Sequence, residues 1–116
     1  MLALAALALA ASYDIPSKMP PGCSGANGSY SCPAGALGNA DTVSISGTKP
    51  ITVTITGDLN VNGAKINPAG SASDMTLVVN GQLAPGYQGV INAHVRAYTV
   101  SDANGAASFG GTLQAT

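Results

Sequence analysis

At 116 residues, with 8% charged positions and a formal net charge of −1, the chain is one small domain or a piece of one. It has no basic footprint for nucleic acid and little charge for long-range steering. With no Glu, no Trp and one Phe against 15 Gly, an aromatic-rich core is disfavoured, and tight turns with small stacked side chains are favoured.

The chain starts MLALAALALAASYDIP, an apolar run of about a dozen residues. That is too short for a bilayer span, which needs roughly 20. It reads as the apolar region of a secretory signal peptide over residues 1–11, with an A-x-A site at Ala8-Leu9-Ala10. The usual basic start is missing, the first lysine being Lys18. Export is the expectation, to the periplasm, the outer membrane or the cell exterior.

Residues 12–40 are Pro- and Gly-rich with little periodicity, and read as a loop-rich N-terminal cap. Cys23 and Cys32, nine positions apart, fit export as one disulfide. Closing so short a loop stabilises by ~2–3 kcal/mol, mainly through the unfolded state. Two cysteines and the distant His94 do not make a four-ligand metal set, and no C-x-x-C redox motif occurs.

From Val43 onward apolar residues and glycines fall on odd numbers. The first set runs Val43, Ile45, Ile51, Val53, Ile55, Leu59; later come Met75, Leu77, Val79, Leu83, then Ile91, Ala93, Val95, Ala97, then Phe109 and Leu113. Period two means strands with one buried and one solvated face. The β-branched runs at 51–55 and 76–79 argue against disorder. Even positions such as Thr52, Thr54, Thr56, Asp58 and Asn60 form the outer face. Asn-Gly pairs at 62–63, 80–81 and 104–105 mark corners, and Ile55 aligns with Val79 and Ile91 with Phe109 at offsets of 24 and 18. Parity that survives every loop predicts an all-β fold over 41–116: a right-handed parallel β-helix, a solenoid of three to four coils, capped by the disulfide-pinned segment. The alternative is an antiparallel β-sandwich with Asn-Gly hairpins. The final GGTLQAT stops inside a strand unit, which predicts that the natural chain continues or that the end docks, end-to-end self-association included.

The acids Asp14, Asp41, Asp58, Asp74 and Asp102 are scattered singly, so no carboxylate pair is assigned. No calcium loop, serine elbow or phosphate loop is present. The reading therefore assigns no catalytic residue, no metal and no cofactor. One surface stands out in VINAHVRAYT, where inward Ile91, Ala93, Val95 and Ala97 leave Asn92, His94, Arg96 and Tyr98 on the outer face. An aromatic beside Asn, His and Arg suits a sugar or a partner protein. The plain alternative is a solvated β-face. Asn27-Gly28-Ser29 reads as turn sequence.

In order, SYDIP (12–16), Cys23, YSC (30–32), ITVTITGDLNVNGAKIN (51–67), GSASDMTLVVNG (70–81) and GVINAHVRAYTV (89–100) resemble the N-terminal region of MSHA-type pilus biogenesis proteins of the MshQ kind. The chain is more weakly similar to bactofilin-like β-helical proteins. The first resemblance implies an exported bacterial protein tied to type IV pili and surface adhesion, with pilus or envelope proteins as partners and no catalytic residues to carry over. The functional expectation is a non-catalytic structural or assembly segment of a pilus-associated or adhesin-like cell-surface protein, without a transmembrane helix. The alternatives are a carbohydrate-binding module using Asn92, His94, Arg96 and Tyr98 on surface glycans, and a polysaccharide-degrading enzyme.

Overall fold

A computed structural model describes residues 11–60, 62–84, 89–101 and 108–115. All but Ala11 of the signal-peptide-like leader, the Asn104-Gly105 corner and Asp102 lie outside the described residues.

Among the described residues, short runs of β-branched and small residues give twelve strands: β1 (Ser12–Ile15), β2 (Ser24–Ala26), β3 (Ser29–Cys32), β4 (Thr42–Ile45), β5 (Ile51–Ile55), β6 (Leu59–Asn60), β7 (Lys65–Ile66), β8 (Met75–Ala84), β9 (Val90–Ile91), β10 (His94–Val100), β11 (Ser108–Phe109) and β12 (Leu113–Ala115). A short 3-10 turn, Ala72–Asp74, precedes β8. The cap segment thus contributes three strands, joined to both sheets. In it Asn27 and Gly28, both at positive φ, make the two-residue turn of the β2–β3 hairpin.

One sheet has five strands in the order β1-β4-β7-β9-β11, all parallel. The other has seven, ordered β12-β10-β8-β5-β3-β2 with β6 also on β8; its β2–β3 pair is antiparallel and the rest parallel. From β3 onward the chain crosses between the sheets, so both grow in step and end at β11 and β12. Ile55 does pair with Val79, and Ile91 with Phe109.

The expected right-handed parallel β-helix of three to four coils is corrected by this topology. The strands form two separate sheets, one wholly parallel and one mixed, with no closed solenoid among the described residues. The antiparallel sandwich fails too, since an all-parallel sheet cannot be built from hairpins. The physical reason is simple. Parity reports which side of a strand is buried, and a closed coil and two facing sheets demand the same parity.

The inner faces meet in one apolar core. Ile51, Val53 and Ile55 of β5, Met75, Leu77, Val79 and Leu83 of β8, and Val95 and Ala97 of β10 are buried, while Thr52, Thr54 and Val78 between them are only half-covered. Parity breaks once. In β7 the even-numbered Ile66 turns inward and stacks between Val43 and Ile91. Full burial of such a side chain contributes about 1.5–3 kcal/mol.

The two ends of the stack differ. At the N-terminal end, the Ala11 and Ile15 carbonyls accept from Thr42 and Ser46 in and beside β4, so Asp14 turns its backbone groups outward. There they pair with Lys18, whose chain folds back as an antiparallel bridge. The outer edge of β3 is covered by β2, and the Cys23–Cys32 disulfide pins that hairpin. At the C-terminal end, Ser108 and Gly110 donate to β9 and its flank, and the Thr112 carbonyl accepts from Val95. Alternation then turns the backbone groups of Phe109, Leu113 and Ala115 outward, where no strand pairs with them among the described residues.

Candidate functional site

The four residues singled out on the 90–99 segment do not form one presented row. Asn92 sits at the corner before β10, where its Nδ2 donates to the Pro68 carbonyl at 3.2 Å and its own carbonyl accepts from Asn67 Nδ2 at 3.0 Å. It belongs to a stack of corner asparagines. His94 opens β10 and is engaged with the edge: Thr112 N–H donates to its Nδ1 at 3.2 Å, and Thr112 Oγ1 lies 2.9 Å from the same nitrogen. With Nδ1 accepting from the backbone, the imidazole helps hold the segment leading into β12.

Arg96 and Tyr98 are exposed, Tyr98 at 57%. Arg96 pairs opposite Val78 on one side and Gln114 on the other. At Tyr98 the register shifts, so this one residue faces Asn80 and Gly81 of β8. The Asn80-Gly81 pair is therefore a bulge inside a strand, not a corner. The close approach explains the glycine: a Cβ at Gly81 would lie 2.3 Å from Asp58 Oδ1. Of the four residues, the structure leaves Arg96 and Tyr98 free to meet a ligand and gives Asn92 and His94 structural bonds.

The described carboxylates do comparable work. Asp41 is buried and accepts from Ala11 N–H at 2.9 Å and Gly38 N–H at 2.7 Å. Asp58 accepts from Gln82 N–H at 2.7 Å, tying the β5–β6 corner to β8. Asp74 accepts from Ser71 N–H at 3.1 Å within the 3-10 turn and lies 3.9 Å from Lys49 Nζ. Among the described residues no three His, Cys, Asp or Glu side chains gather where they could hold a metal ion. No helix there is long and apolar enough to cross a membrane.

Two features escaped sequence reasoning. One is an open groove of about 480 Å³ near the capped end, lined by Pro16, Asn27, Gly28, Tyr30, Gly47, Thr48 and Pro50. The other is a column of side chains running across the seven-stranded sheet through successive partners Tyr30, Val53, Leu77, Val95 and Leu113. Their exposures are 6, 4, 1, 0 and 42%. The column is sealed at Tyr30 and open at Leu113. The sequence signal for it was the odd parity of Leu113, which marks an inward position.

Compared with known proteins, the chain matches no family model, no curated protein and no solved structure.

Proposed function

We propose that the chain is a non-catalytic structural and assembly segment of an exported surface protein. The observation that carries this reading is a parallel ladder over one continuous apolar core, closed at its N-terminal end by a disulfide-pinned hairpin and a backbone bridge. A ladder of backbone hydrogen bonds over a continuous core is stiff, as a structural segment requires. The described polar side chains bond mostly to backbone of neighbouring strands and corners, the use expected of a scaffold. The disulfide is compatible with an oxidising compartment. The pilus-associated setting, with pilus or envelope proteins as partners, comes from the resemblance of the ordered sequence segments.

Exposed Tyr98 and Arg96 favour the second reading, a glycan-binding surface. Binding and turnover by the oxidised chain on a broad polysaccharide panel separate the two. The structural reading expects neither binding nor turnover from folded protein. Saturable binding that Tyr98→Ala abolishes would replace it with an adhesive module.

A further inference from the structure

We propose that His94 is a pH-sensitive latch: its neutral ring seats the Gly111-Thr112 corner on β10, and its protonation lets that corner go. The inference is independent of the assembly reading above. The chain is built to bring Thr112 to the ring. Gly110 and Gly111 carry it from β11 over Asn92 and Ala93, and a Cβ at Gly111 would lie 2.5 Å from the Ala93 carbonyl oxygen and 2.8 Å from Ala72 Cβ. Only glycine lets the backbone pass that close. Thr112 then meets β10 with its whole polar complement. Its carbonyl accepts from Val95 N–H at 2.8 Å, its N–H donates to His94 Nδ1 at 3.2 Å, and its Oγ1 lies 2.9 Å from the same nitrogen.

Nδ1 accepts from a backbone N–H only while it carries no proton, so the latched ring is neutral with its proton on Nε2. A second proton goes to Nδ1. The Thr112 hydroxyl adapts, turning from donor to acceptor, but the Thr112 N–H then faces another N–H and that tie is lost. Histidine is the side chain whose charge changes between about pH 5 and 8, and the chain has one, with both cysteines held in the disulfide. The strands packed against β10, β8 and β12, carry no ionisable side chain. The 3-10 turn beside the corner brings Asp74, which is engaged by Ser71 N–H and lies 3.9 Å from Lys49 Nζ. On β10 itself the charged neighbour on the same face is exposed Arg96, followed by Tyr98.

Nitrogen-15 NMR of the oxidised 116-residue chain, titrated from pH ~8 to pH ~5, tests this. At the upper end the expected His94 Nδ1 signal is that of an unprotonated nitrogen, and the Thr112 amide is protected. As Nδ1 takes up its proton, the Thr112 protection factor, corrected for the intrinsic exchange rate, falls about tenfold with the same midpoint. Thr52, on β5, does not follow it. His94→Asn places a non-titrating Oδ1 near the position of Nδ1 and removes the acid step. Thr112→Val lacks the adapting hydroxyl and deepens it. A proton on Nδ1 at pH ~8 overturns the inference, as does equal Thr112 protection at both ends of the titration, or an acid step that persists in His94→Asn.

Discussion

Leu77→Ala lowers the unfolding free energy by about 3–5 kcal/mol, near the top of the range for a leucine truncated in a core. Leu77 is 1% exposed and sits at the middle of the inward column, with Val53 of β5 on one side and Val95 of β10 on the other. Those neighbours are held by ladder hydrogen bonds to β8 itself, so they cannot slide in to fill the space. The site also borders an apolar cavity of about 10 Å³ shared with Val53, Ile55 and Ile66, and the truncation enlarges that void. Its lining has no polar group to hold a water, so the enlarged space stays dry. Leu113→Ala, at the open end of the same column, costs about 1 kcal/mol or less, because much of that side chain is already in solvent. Urea unfolding of the monomer reads both as shifts of midpoint at constant slope. Equal losses at the two positions would mean that Leu113 is as enclosed as Leu77, and would contradict an open end.

Asn67→Leu costs about 3–5 kcal/mol, from two sources acting at one residue. Asn67 is 4% exposed, holds φ at 53°, and its Nδ2 donates to the Ser71 carbonyl at 2.9 Å and the Asn92 carbonyl at 3.0 Å. Asparagine tolerates the left-handed region better than most residues; leucine does not. Leucine also removes both bonds. The Ser71 carbonyl keeps the Asp74 N–H, but the Asn92 carbonyl loses this donor. Asn67→Gly separates the two sources, since it accepts the positive φ and forfeits only the bonds and packing; about 2 kcal/mol is expected. A leucine variant no less stable than the glycine variant would show that the backbone conformation contributes nothing.

The strands with enough residues to show a period were legible. ITVTI and MTLVV alternate over five positions each, and their pairing offset of 24 was visible before any fold was known. What parity could not carry was closure, for the reason given above. Two-residue strands leave no period to read, which is why the phase change at Ile66 was hidden behind the Asn62-Gly63 turn. The cap strands β1 to β3 were hidden by composition. Ser, Gly and Tyr in three- and four-residue runs look like loop, yet Ile15, Tyr30 and Cys32 are buried there. The Asn80-Gly81 pair has the residues of a corner and sits in a bulge, because the flanking β8 runs ten residues without a break. Within the candidate surface, sequence placed Arg96 and Tyr98 outward and could not foresee that Pro68, Asn67 and Thr112, all distant in sequence, engage Asn92 and His94.

Amide hydrogen exchange of the native chain tests the central claim most directly: a backbone ladder over one continuous core, closed at its N-terminal end. The amides of β3, β5 and β8, such as Thr52, exchange slowly, whereas those of β11 and β12, each with a single strand neighbour among the described residues, exchange faster. Protection of β12 equal to that of β5, or fast exchange throughout β3, would contradict the account.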